Sequence, residues 1–435
     1  MTLTTDPIMN SKASKFLTRF NYQFMIAILS LLLVQTSVVA QDDSHDDWAR
    51  WRGPEGNGVA AEDQKPPITW TGDEDFAWKV KVPGKGHSSP TIVGDQIFLA
   101  TADKEKGEQS VICFDRKTGE QQWQTPVNTE GGLREKIHPS NTHASQTVAT
   151  DRKSIFVVFE HHKEIELYCL SLSGDKLWSK VVGDYDPLYG FGYGTSCIVY
   201  DDKVIVSNEN KIEGGLYAFS TKDGEQVWKI DRGTTTSWSV PVVATVAGKK
   251  QLLMSGGKSV SSYNPDDGKL IWTVPASWDV TCGTMVWDGD LVFVSGGFPT
   301  KQTLGINAKT GKMIWTNRAK IYEQSMLVFD GHLFGVDEGG VAYCWRGSDG
   351  KEIWKERVGR RYRTSASPLL ANGHIYIPAE NGQVVVLKAN TEKYEPVATN
   401  KLGTSVFPSF AVCHNHIYAR YTEGKQGYLV SIGEK

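Results

Sequence analysis

Residues 307–315 read N-A-K-T-G-K-M-I-W and predict a tight hairpin followed by a strand that carries a large aromatic ring. Asparagine tolerates turn conformations, and Gly311 can take the positive φ that closes a short hairpin. Trp315 then falls on the outgoing strand, where a flat side chain can be buried against a neighbouring sheet. The same order of turn, glycine and tryptophan recurs along the chain, so the stretch indicates a repeat.

The spacing Gly-x-x-x-Trp occurs six times, and successive tryptophans are 39 to 55 residues apart. A seventh, decayed copy runs through residues 385–390 to Tyr394. A period in the forties with about four short strands per copy is typical of a β-propeller blade. We interpret the tryptophans as structural repeat residues: Trp123, Trp178, Trp228, Trp272, Trp315 and Trp354.

Two incomplete copies at the chain ends predict how the ring closes. Residues 76–82 alternate like an outer strand but have no inner strands before them, whereas the last copy, residues 405–432, lacks an outer strand. Pairing the two removes both open sheet edges. The sequence therefore predicts an all-β fold, an eight-bladed β-propeller in which an N-terminal strand closes the last blade. The blades are predicted to begin near His87, His143, Gly192, Ser237, Thr281, Gln324, Thr364 and Ser405.

The N-terminal residues differ from the rest in composition. Three basic residues precede the apolar run 24–34, and small residues end at Ala40, which predicts a signal peptide over residues 1–40 and export to the periplasm or medium. The alternative is an uncleaved membrane anchor, although the apolar run is short for a span. We expect residues 41–75 to form an entry segment that docks on the propeller of residues 76–435.

Composition excludes some classes of function. The net charge is −3, so no basic field favours nucleic acid. The six cysteines include no C-x-x-C pair, and those at repeat-equivalent sites are expected to behave as small hydrophobic residues, with pairing between blades left open. Cleavage of the signal would leave no membrane span, and we expect a monomer.

The blades resemble the pyrroloquinoline quinone (PQQ)-like propeller repeat, which occurs in quinoprotein dehydrogenases and in outer-membrane assembly lipoproteins. The motif W-A-R-W-R-G-P-E-G-N-G of residues 48–58, followed by H-S-S-P, N-T-H-A-S, S-W-S-V-P and S-A-S-P, resembles a group of exported bacterial propellers common in planctomycetes. The resemblance covers residues 48–435. It implies the fold, because the repeat name describes a blade shape and not a bound quinone.

The resemblance also implies what a PQQ enzyme would need: a catalytic aspartate, oxygen ligands for calcium, a tryptophan under the quinone and often two adjacent cysteines. The adjacent cysteines are missing here. Trp238 could stack a flat ligand or simply plug the channel. Asp279, Glu323 and Asp337 could be calcium ligands or bases, but no D-x-D-type cluster accompanies them, so each is expected to be solvated or bonded in a turn.

Histidines suggest a metal site only at first sight. His332, His374 and His416 fall at the same hairpin tip of three consecutive copies, so they should lie on separate hairpins. His161 and His162 lie in a polar hairpin, where a solvated loop is the default. We expect no metal site.

Large polar and aromatic residues recur just where each blade starts, at positions that otherwise carry Ser, Thr or Gly. Inner strands line the central channel of a propeller, so these residues should converge at one mouth and could bind a ligand or partner. The alternative is that they bond exposed backbone. Replacing the two arginines with Ala should abolish binding without lowering the melting temperature. The candidates are His87, His143, Tyr193, Trp238, Glu323, Arg361 and Arg363.

Three functions follow as expectations. The favoured one is a non-catalytic binding or scaffolding module of the cell envelope with a protein or glycan partner and no cofactor. The second is a PQQ- and calcium-dependent dehydrogenase that oxidises an alcohol or a sugar. The third is a carbohydrate-binding propeller in which Tyr193 and Trp238 stack on sugar rings.

Overall fold

The computed structural model describes residues 1–2 and 47–434. The chain divides into two compact units, Met1–Asp43 and Ser44–Lys435, and the propeller lies in the second. The predicted signal peptide, apart from residues 1–2, lies outside the described residues. In the described part, no helix is long and apolar enough to cross a membrane.

The described residues form eight four-stranded antiparallel sheets, which confirms the predicted eight-bladed β-propeller. Blade 1 comprises Thr91–Val93, Gln96–Asp103, Glu108–Asp115 and Gln121–Asn128. Blade 2 comprises Ala149–Thr150, Ser154–His161, Glu164–Ser171 and Lys176–Asp184. Blade 3 comprises Ile198–Tyr200, Lys203–Glu209, Gly214–Ser220 and Gln226–Gly233. Blade 4 comprises Val242–Val246, Lys249–Gly256, Ser259–Tyr263 and Leu270–Pro275.

The remaining blades follow the same order from inner to outer strand. Blade 5 comprises Val286–Asp288, Leu291–Gly296, Gln302–Asn307 and Lys312–Asn317. Blade 6 comprises Leu327–Phe329, His332–Val336, Val341–Arg346 and Glu352–Arg357. Blade 7 comprises Leu369–Ala371, His374–Pro378, Gln383–Lys388 and Pro396–Lys401. Within the described ranges, short 3₁₀ turns lie at Asp73–Asp75 and Leu188–Gly190.

Blade 8 closes the ring as predicted. Its strands are Ala411–Cys413, His416–Glu423, Gln426–Ile432 and, as the outer strand, Phe76–Val82 from the other end of the sequence. Val80 pairs with Leu429 and Val82 with Gly427 in antiparallel register. The closing strand therefore covers the edge that the last hairpin would leave open.

The hydrophobic core lies between blades. One buried cluster, for example, joins Phe156 and Leu167 of blade 2 to Val204 and Tyr217 of blade 3. The repeat tryptophans connect blades in the same way, because each indole N–H donates to a backbone carbonyl of the next blade at 2.7–3.3 Å. The pairs are Trp78 with Arg116, Trp123 with Leu172, Trp178 with Thr221, Trp228 with Pro265, Trp272 with Ala308, Trp315 with Gly347 and Trp354 with Asn390.

Two details differ from the prediction. In blade 7, Ala398 rather than Tyr394 occupies the tryptophan position, since it pairs with Val386 as Trp354 pairs with Cys344. Tyr394 instead lies edge-on to Trp354, with ring centroids 5.7 Å apart. The inner strands also begin three to six residues later than the predicted blade starts. The intervening residues run along the channel without ladder pairing and supply the polar groups of the site.

Candidate functional site

One face of the central channel is covered by residues 48–60. Trp48 pairs with Ile92 of blade 1 through two backbone hydrogen bonds of 2.9 and 3.0 Å. The carbonyl of Ala49 accepts the N–H of Thr150 of blade 2 at 3.1 Å. At the other end of the segment, the Ala60 N–H donates to the carbonyl of Leu370 in blade 7, and the Leu370 N–H donates to the carbonyl of Gly58, at 2.9 Å each. The segment therefore spans the base of the ring from blades 1 and 2 to blade 7.

Arg52 fixes the middle of this segment. Its guanidinium is buried and donates to the carbonyls of Asn57 and Met326, the second at 2.6 Å. Burial lowers the pKa of Arg52 to about 9. Gly58 permits the approach, because a Cβ there would lie 2.6 Å from Nη2 of Arg52. Trp51, next to Arg52, lines the channel cavity from this side.

A circle of buried hydroxyls runs round the channel just before the inner strands. Each blade contributes one Ser or Thr to this circle. In six blades the backbone N–H of that residue donates to the hydroxyl of the corresponding residue in the next blade, at 2.8–3.1 Å. In blade 4 the Ser239 hydroxyl donates instead to the carbonyl of Gly283 at 2.9 Å. We call this set the hydroxyl belt: Ser89, Thr147, Ser196, Ser239, Thr284, Ser325, Ser367 and Ser409. The belt satisfies backbone groups that have no ladder partner.

The other end of the channel opens into a cavity of about 240 Å³, which we call the mouth cavity. Five belt hydroxyls line it, with the ring of Trp51 among the lining groups. The remaining walls come from loops that lead into the inner strands. They carry His87, His138, Asn141, Phe191, Trp238, Cys282, Tyr322, Glu323 and Phe407 among others.

His87 and Phe407 form one wall. Their rings are stacked with centroids 4.5 Å apart and an interplanar angle of 5°. Nδ1 of His87 lies 3.1 Å from the carbonyl of Ser140. Burial, with a further contribution from the positive charge of Arg420, lowers the pKa of His87 to about 4. The imidazole is therefore neutral at neutral pH and acts here as an uncharged aromatic wall.

Three more rings form a second wall. Trp238 is tilted against Phe191 with centroids 5.8 Å apart, and Phe191 meets the edge of His138 at 4.7 Å. The Trp238 indole donates to the carbonyl of Gly192 at 2.8 Å, which fixes its orientation. The rings therefore present apolar faces to the cavity, and their polar atoms bond elsewhere.

Glu323 supplies the only carboxylate among the lining residues, and none of them is Lys or Arg. Within residues 1–2 and 47–434, the Glu323 carboxylate has no ion pair and no hydrogen-bond partner. Burial raises the pKa of the neighbouring Cys282 thiol, and the negative charge of Glu323 adds to that shift. The electrostatic character of the mouth cavity is therefore that of one negative charge among rings and hydroxyls.

The structure brings together three of the seven predicted site residues, namely His87, Trp238 and Glu323. Tyr193 is buried behind the cavity, where its hydroxyl donates to Ser207 at 2.7 Å. His143 bonds through Nε2 to the carbonyl of Arg134 at 2.8 Å and does not line the cavity.

The two predicted arginines also lie outside the cavity. Arg361 and Arg363 are exposed, and Nε of Arg363 lies 3.9 Å from Glu380. Neither side chain lines the mouth cavity. The expectation that removing them abolishes binding therefore does not extend to a small ligand in the cavity.

Sequence reasoning missed the belt and several wall residues. A signal for the belt exists, because a Ser or Thr stands two residues before the inner strand in seven blades and three residues before it in blade 4. The dipeptide Phe407-Pro408, just before the inner strand of the last blade, is a signal that could have predicted Phe407 as a wall residue. Phe191, His138 and Asn141 carry no such signal, since they belong to irregular loops.

The carboxylates considered as calcium ligands lie apart. Asp279 pairs with Lys258 at 3.3 Å, whereas Asp337 accepts the N–H groups of Gly339 and Val341 at 2.9 Å each. His332 and His374 bond to their own hairpin carbonyls. Over the ranges that the structure describes, no three His, Cys, Asp or Glu side chains are grouped as a metal site would require.

These residues do not fit PQQ with calcium. PQQ is a polycarboxylate, and its recognition calls for cationic side chains or a metal held by several oxygen ligands. The mouth cavity offers one carboxylate and no Lys or Arg. An anion in the cavity would be repelled by the Glu323 carboxylate, and no Lys or Arg side chain lines the cavity to offset that repulsion.

Comparison with known proteins gives the family and the fold. The model of a family described as outer membrane protein assembly factor BamB matches residues 59–185, 107–297, 256–328 and 300–394. The outer membrane protein assembly factor BamB of Burkholderia pseudomallei is 32% identical over 105 residues, which cover 24% of this chain and 26% of that protein. The alignment thus spans about a quarter of that relative's length.

Solved structures that share the fold include an assembly factor and an enzyme. BamB from Moraxella catarrhalis superposes with a TM-score of 0.60 at 14% identity, over 82% of this chain and 99% of that one. A quinohemoprotein alcohol dehydrogenase from Comamonas testosteroni superposes with a TM-score of 0.63 at 12% identity, over 93% of this chain and 83% of that one. At such identities the likeness concerns the fold alone, and it includes both a protein named as an assembly factor and a named enzyme.

Proposed function

This chain belongs to the family of outer membrane protein assembly factor BamB, and we propose that it is a non-catalytic binding propeller of the cell envelope. In this proposal it is exported to the periplasm and holds a protein partner at the mouth cavity. The propeller serves as a rigid ring on which loops from all eight blades present a common surface.

The observation that carries the proposal is the shape of the channel. Residues 48–60 cover its base through bonds to blades 1, 2 and 7, whereas the opposite end opens into the mouth cavity. A channel with one covered and one open end suits a docking recess better than a conduit. Convergent polar groups among aromatic walls are typical of a binding site.

Two considerations support binding over catalysis. Among the described residues, the Glu323 carboxylate makes no hydrogen bond to His87, His138, Cys282 or Tyr322 of the same lining, so no hydrogen-bonded acid–base pair is assembled in the cavity. The donor set also does not fit PQQ with calcium. The carbohydrate hypothesis loses one of its two rings, because Tyr193 is buried and cannot stack on a sugar.

The test is a deletion of the gene in its host, followed by complementation. We expect the deletion to lower the amounts of folded outer-membrane proteins, measured in isolated envelopes by heat-modifiable mobility and mass spectrometry. The wild-type chain should restore them, and Trp238→Ala, which removes a cavity wall, should not. An unchanged envelope on deletion, or full rescue by Trp238→Ala, would contradict the proposal.

A biochemical control addresses the enzyme hypothesis directly. The protein is titrated with PQQ and calcium, and binding is followed by absorbance and by a dye-linked oxidation assay with alcohols and sugars. We expect no stoichiometric complex. Turnover of an alcohol or a sugar would replace the binding function with a quinoprotein dehydrogenase.

A further inference from the structure

We infer that the mouth cavity binds a single organic cation, an ammonium or guanidinium group, between its aromatic walls and Glu323. The inference rests on the proposed function and names the chemistry of the ligand. The source is either a small free amine or the side chain of a Lys or Arg on a protein.

Charge is the first step of the argument. Glu323 lines the cavity, and in the part of the chain that the structure describes its carboxylate has no partner. The nearby cations are engaged elsewhere: Lys320 pairs with Glu338 at 3.0 Å, and the buried Arg420 donates to the carbonyl of Ala100 at 2.7 Å. A partly buried carboxylate is stabilised by an opposite charge, which a ligand can supply.

The walls are the second step. Four separate loops present rings to the cavity, namely those before blades 3, 4, 6 and 8, with Phe191, Trp238, Tyr322 and Phe407 respectively. A cation over an aromatic face is attracted by the negative quadrupole of the ring, more strongly when water is excluded. Tyr322 already has the ammonium of Lys320, which is paired with Glu338, at 4.6 Å from its ring centre. The rings left for a ligand cation are therefore those of Trp238, Phe191 and Phe407.

The neutral state of His87 completes the electrostatic picture. Its ring is stacked on Phe407, and its pKa is lowered to about 4. At neutral pH the histidine therefore adds no positive charge that would repel a cation. The hydroxyls of Ser89, Ser367 and Ser409 add oxygen acceptors on the same side of the channel.

Size limits the ligand. The cavity is about 240 Å³, whereas sites for drug-sized ligands measure roughly 300–1,000 Å³. A trimethylammonium group or the end of a basic side chain fits this space, but a folded segment of chain does not. The inference is therefore limited to one charged group and the few atoms that carry it.

The test compares cations with uncharged analogues of the same shape by isothermal titration calorimetry on the full chain. Choline is paired with its carbon isostere, in which tert-butyl replaces trimethylammonium. Nα-acetyl-lysine N-methylamide, whose side-chain ammonium is free, is paired with Nα-acetyl-2-aminoheptanoic acid N-methylamide, in which a terminal methyl replaces the ammonium. We expect at least one cation to bind about tenfold more tightly than its uncharged analogue, which corresponds to about 1.4 kcal/mol. Tighter binding of choline would indicate a small free amine as the ligand, and tighter binding of the lysine derivative would indicate a side chain on a protein.

Two variants locate the effect. Glu323→Gln keeps the size of the side chain and should reduce the preference for the cation to less than about threefold, or about 0.7 kcal/mol. Glu356→Gln removes the same charge from an exposed position on the outer strand of blade 6 and should leave the preference intact. Equal affinity for cation and analogue, no binding of any probe at millimolar concentration, or equal effects of the two variants would overturn the inference.

Failure of the inference can be separated from failure of the proposed function. If Glu323→Gln restores the envelope of the deletion strain and Trp238→Ala does not, the mouth cavity is the partner site but the ligand is not a cation. If both variants restore it fully, the proposed function fails as well. If neither restores it and Glu356→Gln does, both stand.

Discussion

Gly174 of blade 2 lies directly against the indole of Trp123 in blade 1: a Cβ on Gly174 would come within 2.7 Å of Cδ2 of the ring. Gly174 has φ of +93°, which disfavours a side chain for a second reason. The glycine and the tryptophan of one repeat therefore serve different blade junctions. The glycine receives the ring of the preceding blade, and the tryptophan packs on the glycine of the next.

The first prediction follows from this contact. Gly174→Ala should lower the melting temperature more than Gly373→Ala, because both sites have positive φ but only Gly174 faces a ring, and Gly373 has nothing within 4 Å. The cost of a positive φ, about 1–2 kcal/mol, is larger at Gly174, where φ is +93°, than at Gly373, where it is +67°. Gly224→Ala isolates the ring contact, because its φ is +69° and a Cβ there would lie 2.7 Å from the Trp178 ring. Circular dichroism on heating measures the difference. Equal melting temperatures would show that the ring can move aside.

The second prediction concerns the hydroxyl belt. The Ser367 hydroxyl accepts the buried Ser325 N–H at 2.9 Å. Ser367→Ala removes this acceptor and should destabilise the fold by about 1–3 kcal/mol. Ser367→Thr keeps a hydroxyl and should cost less, since the Thr147 hydroxyl accepts the Ser89 N–H at the equivalent site. Denaturant unfolding compares the variants. Hydrogen exchange of the peptide that contains Ser325 should rise only in the Ala variant.

The third prediction concerns ring closure. Lys81 and Tyr428 face each other across the pair of strands that joins the two ends of the propeller. With Cys at both positions, a disulfide would lock the ring and stabilise the fold by on the order of 4 kcal/mol, because it closes a very long loop. The same protein with and without reductant gives the comparison. Failure of the disulfide to form, judged by mass spectrometry, would contradict a closure at this pair, and an unchanged melting temperature on reduction would contradict its stabilising effect.

The fourth prediction is a pH dependence. The pKa of His87 falls from its ordinary value of 6.5 to about 4 in the folded chain, so the unfolded chain binds the proton more readily. The resulting stability is fully present above pH 6.5 and is lost as the pH falls towards 4. His87→Phe keeps a ring against Phe407 but cannot titrate, so its melting temperature should fall less over this interval. Parallel pH profiles for the two proteins would contradict a neutral His87.

The predictable part of the fold rested on short-range signals. The turn, glycine and tryptophan of each repeat lie within nine residues, as in residues 307–315, and turn chemistry acts locally. Tips such as Asp330-Gly331 and Asn372-Gly373 likewise form the tight turns that their residue types favour, with positive φ at each. Blade 7 shows the limit, because Tyr394 matched the spacing of the repeat. Its outer hairpin is two residues longer than that of blade 6, since Leu387 pairs with Pro396 where Trp345 pairs with Glu352, and this places Ala398 at the ring position.

The sequence by itself determined the eight blades and the strand that closes them, because a repeat and two unfinished ends are visible without knowing any distance. Only the tertiary structure decided which residues share the mouth cavity. Tyr193 and Trp238 both precede inner strands, yet one is buried behind the wall and the other lines it. The direction of a side chain in an irregular loop depends on packing from blades far along the chain, as with His87 against Phe407. No local pattern encodes that contact.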